Sequence, residues 1–534
     1  MESTSPALHR SRYSSQYVLH IVQEGTSGFS PLHPGLTEEL APPTTLCLNR
    51  TCKDRRLVDR RTYPSTLFTL RRGALSATAV SLYCKGCNTR YHHDFFVRAA
   101  SDPDAQRVYY PGIPTVFGAG DHFFVESALC VFFENMYMFS HASSEGIARI
   151  YNRSLAVDSE ESRRLTGEVV LNAFLMHSLL RFWAQVFKDA LLLPHAGTND
   201  RRLDEALERR NIFMAGTGQA QWAHACKACT LFKRDAEGRA YRQTACVIDG
   251  VTLQHPCCSF KSADGKPCLR SLARTMDRYC PVHHGENFIC VAAGCRQIRP
   301  PGFETCPLAA HRALETGRKS RGKSMNKLKE RLHTASKFLS TGFTRTWTHN
   351  EQLAVRCCGV IISRATMFQA EAITGVRDFL MATFPEQEFP GSRPSFLFYD
   401  DNCALHKHIY AQDPTGRIRR FFARIGLPVD VFHFESKHKE ADLVCQTHCN
   451  PASFPDLMNP NGTWAFNSSA AEQANSWIKK YKQIVREMNA LRYDFFLDEM
   501  IALRNEFIVE GLQAKDLLPH IVPDEVLTSV EYLP

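Results

Sequence analysis

No apolar run in this 534-residue chain reaches the roughly 18 residues that a membrane-spanning helix needs. The nearest, Val169 to Phe187, is interrupted by Asn172, His177 and Arg181, and reads as a buried amphipathic helix. The N-terminus (Met1-Glu2-Ser3-Thr4) is polar and offers no secretory hydrophobic region. These absences point away from membrane and secreted classes. Without an export signal, the twenty cysteines are expected to sit in a reducing compartment and to bind metal, not to form disulfides. The length is too great for a single core and predicts three or four domains, and the 44% apolar content is ordinary for a soluble protein.

Fifteen of the twenty cysteines precede residue 307, mostly at metal-ligand spacings. Cys47-x4-Cys52 is followed by Cys84-x2-Cys87, and this foursome reads as one zinc ribbon. Zinc takes four soft or borderline donors in a tetrahedron, and a short Cys-x2–4-Cys knuckle gives two of them from one tight turn. Cys290-x4-Cys295-x10-Cys306-x4-His311 forms a second self-contained set. Cys268, Cys280 and His283 need a fourth donor, most simply Cys258 or Cys257, and Cys226-x2-Cys229 needs two more from Cys246, His255 and Cys257. Closed four-ligand sites are scaffolding, so the front half reads as a recognition platform.

Net charge is +9. Between Arg312 and Lys337 nine Lys or Arg face two Glu, a net +7 in one stretch. A solvated helix face or linker explains this as well as a nuclear-import signal or a phosphate-contacting arm, in which Arg318, Lys319, Arg321 and Lys323 would meet DNA.

The pattern along the chain is mixed α+β and multidomain. Residues 1–45, rich in Ser, Pro and Thr, are expected to be poorly ordered. Residues 46–120 form the ribbon, with β-prone runs at 66–70 and 80–83 joined at Arg72-Gly73. Residues 121–221 read as helical. There Phe123 to Phe139 recur at helical spacing, and Ser143 or Ser144 caps a helix from Glu145 to Leu155, a pair resembling a helix-turn-helix. Residues 222–311 are the second cysteine module, 312–345 a basic linker or helix, and 521–534 a tail. Residues 346–520 alternate strands (353–363, 395–399, 429–433) with helices (367–383, and a long one from Ser468), which suggests an α/β layer.

Cys84-Lys85-Gly86-Cys87-Asn88-Thr89-Arg90-Tyr91, Tyr109-Tyr110-Pro111-Gly112-Ile113-Pro114 and Ala148-Arg149-Ile150-Tyr151-Asn152 resemble the cysteine-cluster domain found with KDZ (Kyakuja–Dileera–Zisupton) transposases of fungi. Asp249-Gly250-Val251-Thr252 with His255-Pro256-Cys257-Cys258 and the Cys280–His311 set resemble a companion cluster. The resemblance implies an RNase H-like domain over 346–520 with an Asp, Asp, Glu triad that binds Mg²⁺. Tyr399-Asp400-Asp401-Asn402-Cys403 would make Asp400 the second carboxylate, with Asp401 as substitute, and Glu472, ahead of Trp477, the third. His433, His438 and Cys445 resemble a His-x4-His-x6-Cys insertion that would hold zinc with His448 or Cys449. The first carboxylate is expected on Arg356-Cys357-Cys358-Gly359-Val360-Ile361-Ile362, which has none, so Cys357 and Cys358 would occupy its place.

Two functions follow as expectations. One is a nuclear, transposase-related DNA-binding protein with three or four structural zincs and weak or absent strand transfer. The other is a non-catalytic nuclear zinc-module adaptor; a RING-like ubiquitin ligase is a distant third. DNA is the expected partner, a membrane is not, and homo-oligomerisation is compatible with either reading.

Overall fold

The computed structural model describes residues 38–528 apart from 157–162, 235–236, 263, 265, 293, 324–345, 369, 412–415 and 439–440. The chain divides into two compact units, Met1–Arg210 and Asn211–Pro534.

The first unit is a sheet covered by helices. Its strands are β1 (Glu38–Leu40), β2 (Val58–Thr69), β3 (Gly73–Cys84), β4 (Thr89–Tyr91), β5 (Phe95–Arg98), β6 (Gln106–Tyr109), β7 (Val116–Gly118), β8 (Phe123–Glu126) and β9 (Leu192–Pro194). They run in the order β7-β8-β2-β3-β4-β5-β6-β9, with β1 added parallel to β3. The β2–β3 hairpin turns at Gly73, whose φ of +71° suits glycine. Helices α1 (Ser127–Ser140), α2 (Ser144–Ser154) and α3 (Gly167–Phe182) follow. Residues 123–126, expected to open a helix, instead pair as β8 with β2 and β7. Four residues in extended register gain ladder hydrogen bonds that a helix start would leave unmade. Ser143 caps α2 by accepting the Gly146 N–H at 3.1 Å. Tyr151 of α2 donates to the Thr69 carbonyl at 3.0 Å, so this helix is tied to the sheet.

The stretch Gly167–Phe187 is long and apolar enough, on length and composition alone, to cross a membrane, which corrects the expectation that no run qualifies. Here it packs in the interior: Val170, Phe174, Leu175 and Leu179 are fully buried. His177 and Arg181, the polar interruptions of that run, both reach the buried Glu134, at 2.8 and 3.2 Å.

In the second unit, α4 (Asn199–Arg202) and α5 (Asp204–Met214) having led into it, come β10 (His224–Ala225), β11 (Thr230–Arg234), β12 (Ala240–Val251), β13 (Pro256–Cys257), α6 (Ala309–Lys323), β14 (Thr346–Trp347), β15 (Asn350–Arg356) and β16 (Ile361–Met367). Then follow α7 (Ile373–Thr383), β17 (Phe396–Phe398), α8 (Asn402–Ala411), α9 (Arg417–Phe422), α10 (Val431–Lys437), α11 (Leu443–His448), α12 (Ala470–Ile478), α13 (Lys482–Val485), α14 (Ala490–Ala514), β18 (His520–Ile521) and α15 (Asp524–Thr528). The central strand is β12. It pairs antiparallel with β11 and β15 and parallel with β17, and β15 continues into β16.

Three sequence expectations change here. β12, assigned by sequence to the second cysteine module, is the middle of the sheet. The run 353–363 is a hairpin, β15–β16, turning at Gly359 with φ +95°. Residues 429–433 are not a strand: Asp430 accepts the Phe432 and His433 N–H groups and so starts α10. A buried network joins sheet to helix behind the central strands. Arg364 of β16 pairs with Glu351 of β15 (2.6 Å) and with Asp494 and Asp498 of α14 (3.0 Å each).

Candidate metal centres and a carboxylate site

Cys47, Cys52, Cys84 and Cys87 converge with all donor atoms within 4.8 Å. Two come from the loop before β2 and two from the knuckle ending β3, so the hairpin brings the pairs together. The Cys47 and Cys87 sulfurs are 3.5 Å apart. Tyr91 of β4 accepts the Leu48 N–H at 3.0 Å, which leaves its hydroxyl proton for the Cys47 sulfur at 3.3 Å. Such outer hydrogen bonds orient a metal-binding thiolate.

Two further sets lie between β13 and α6. Cys258, Cys268, Cys280 and His283 form one, so Cys258 and not Cys257 completes it. Phe260 stacks on the His283 ring at 3.7 Å and fixes its plane. Cys290, Cys295, Cys306 and His311 form the other, with Cys306 Sγ 3.2 Å from His311 Nδ1. Glu315, one turn of α6 beyond His311, accepts the Thr305 N–H and hydroxyl and anchors that loop.

The remaining expectations shift. Cys226 and Cys229 meet His224 and Cys358, not Cys246, His255 or Cys257. Cys246 is buried within β12, and the His255 Nε2 lies 3.0 Å from the Met488 carbonyl. Cys403, His438 and Cys445 form a group, with Cys449 buried in the same cluster. The Cys403 and Cys445 sulfurs are at disulfide-bonding distance, yet His438 Nδ1 also contacts both, at 3.5 and 3.0 Å. The imidazole beside both sulfurs gives the group the donor set of a metal site. His433 does not join it. The α10 helix turns its ring to Asp430 (3.3 Å) and to Glu472 (3.5 Å). Arg318, Lys319, Arg321 and Lys323 fall on the last turns of α6, but their side chains, and all of 324–345, lie outside the described residues.

The carboxylates gather around β12. Val247 of β12 pairs in parallel with Phe398 of β17. Asp249 stands two residues further along β12, and Asp400 two residues past Phe398, in the turn that follows β17. Their negative charges repel: burial, then Asp400 and Glu371, raise the Asp249 carboxyl from its ordinary 3.8 to about 6, against lowering by the Gly250 N–H and Asn475. Asn475 of α12 donates to Asp249 at 2.7 Å. It lies three residues beyond Glu472, so both occupy one face of a helix that packs on β12.

Glu371, which precedes α7, accepts from Asn350 (2.6 Å) and from the Tyr399 hydroxyl (2.9 Å). A Cβ on Gly250 would lie 2.0 Å from the Asn350 side-chain amide and 2.8 Å from Glu371, so a larger residue there has to push these side chains aside. Asp401 opens the turn into α8. Cys357 and Cys358 sit at the β15–β16 turn.

Several closed Cys/His groups of this chemistry fit tetrahedral structural zinc and define a zinc-module protein. More particularly, residues 36–155 match the CxC5-like cysteine cluster associated with KDZ transposases, and residues 247–317 match the CxC6-like cysteine cluster associated with KDZ transposases. The protein therefore carries two KDZ-transposase-associated cysteine clusters. No curated protein and no solved structure matches the chain.

Proposed function

We propose that this is a nuclear, transposase-related DNA-processing protein whose carboxylate set is complete, with Asp249 as the first member, Asp400 the second and Glu472 the third. The observation that carries this reading is the parallel register of β12 and β17, which sets Asp249 beside Asp400. An antiparallel hairpin on one side of β12 and a parallel strand on the other resemble the RNase H-like arrangement expected for the second unit.

The Asp249 carboxyl, raised by burial first and then by the charges of Asp400 and Glu371, offers the acidic oxygens that a hard divalent ion such as Mg²⁺ takes. When bound, Mg²⁺ activates the attacking oxygen and steadies the leaving oxygen of a phosphodiester. Asn475 would hold Asp249 in place, and Glu371, held by Asn350 and Tyr399, would add negative charge at the rim. The zinc modules and the basic 312–337 stretch would bind DNA.

The test is nicking of supercoiled DNA by the full-length zinc-loaded protein with Mg²⁺ or Mn²⁺. Cleavage should appear and fall at least 100-fold in Asp249→Asn and in Asp400→Asn, with DNA binding retained. A folded, DNA-binding protein that never cleaves would favour the non-catalytic adaptor instead.

A further inference from the structure

His224, Cys226, Cys229 and Cys358 lie outside both matched cysteine-cluster segments. Their donor atoms nonetheless lie within 4.8 Å of one another, and three of the four residues are buried. The Cys226 and Cys229 sulfurs are 3.5 Å apart, near the roughly 3.8 Å that tetrahedral Zn–S bonds of 2.3 Å impose. Between them the chain makes the tight turn of a metal knuckle, with the Cys229 and Thr230 N–H groups both directed at the Cys226 carbonyl.

Two features of the surroundings suit a cation held by thiolates. The first is His224, 2% exposed. Its Nδ1 faces the Gln221 side-chain oxygen at 3.3 Å, which selects the tautomer with a proton on Nδ1 and a lone pair on Nε2. That Nε2 is buried and has no hydrogen-bond partner. The second is Arg356. Its guanidinium is buried, with Nε and Nη1 lacking a hydrogen-bond partner. It lines one small cavity with His224. Three thiolates and one imidazole around Zn²⁺ carry a single net negative charge, which suits a buried guanidinium beside them.

We propose that these four residues bind a structural zinc, separate from the cysteine-cluster modules, that staples two distant pieces of the second unit together, the 224–229 segment and the β15–β16 turn. The knuckle leads into β11. Cys358 belongs to the β15–β16 turn. β10, which holds His224, pairs with β18 near the C-terminus. In the ladder Arg356 pairs with Cys246 and Leu353 with Asp249, so the staple lies three residues along β12 from the Asp249 pair.

Zinc is counted in purified full-length protein by elemental analysis. Cys358→Ala should lose one zinc per chain, whereas Cys357→Ala, at the neighbouring buried thiol, and Cys358→His, which keeps a donor, should lose none. In case Cys358→Ala does not fold, differential alkylation of the wild-type protein gives a second reading. Cys226, Cys229 and Cys358 should be protected together and become reactive together as a chelator is titrated in. Full zinc content in folded Cys358→Ala, or a Cys358 that alkylates while Cys226 and Cys229 stay protected, would overturn the proposal.

Discussion

Asp249 is a side chain whose charge weakens the fold that holds it. Its carboxyl, raised from 3.8 to about 6, stays protonated in the folded chain over a range where the unfolded chain has already ionised. Folding then favours the proton-bound form, so stability falls as pH rises between about 4 and 6 and stays lower at neutral pH. Asp249→Asn removes that loss and keeps an acceptor for Asn475. In buffer free of divalent cations at pH 7.5 it should be more stable than wild type by on the order of 1–3 kcal/mol. The gain should vanish below pH 4, and thermal denaturation across pH measures it. Sequence alone shows Asp249-Gly250 but not its neighbours, because Asp400 arrives only through the β12–β17 pairing. The glycine is the available clue: it leaves room beside Asp249 for the Asn350 amide and Glu371.

Among the elements, those defined by local spacing are legible in the sequence. Both knuckles of the ribbon, the Cys290–His311 set, the α2 cap and the strand before Asp400 need only neighbours in sequence, and each lies where the spacing puts it. Elements defined by distant partners are not legible. β12 closes against β15 only after the intervening segment 252–349, so the hairpin 350–367 reads in sequence as the leading strand. The run 429–433 is apolar enough for a strand, but the Asp430 side chain caps it into a helix. Arg364 likewise draws its partners from β15 and α14. Glu351 is fully buried and receives hydrogen bonds from Arg364, Thr366 (2.9 Å) and Tyr493 (2.7 Å). Arg364→Ala strands that carboxylate and should cost about 3–5 kcal/mol in chemical denaturation. Arg364→Ala with Glu351→Gln should recover part of the loss.

For the molecule as a whole, charge and metal are expected to act on different observables. Replacing Arg318, Lys319, Arg321 and Lys323 by Gln should weaken binding about equally for all DNA sequences. It should also flatten the dependence of log K on log salt by roughly 0.9 for each phosphate no longer neutralised. Zinc content should not change. Unaltered affinity and slope in a fluorescence titration would assign the stretch to a linker or an import signal.

The segment matched as the second cysteine cluster begins at residue 247, inside β12, and so contains Asp249. Asp400 lies well beyond its end. Inheritance of that segment therefore carries half of the acidic pair with it. A gene rearrangement that exchanged the cluster at its matched boundaries would cut a central strand in two and part Asp249 from Asp400.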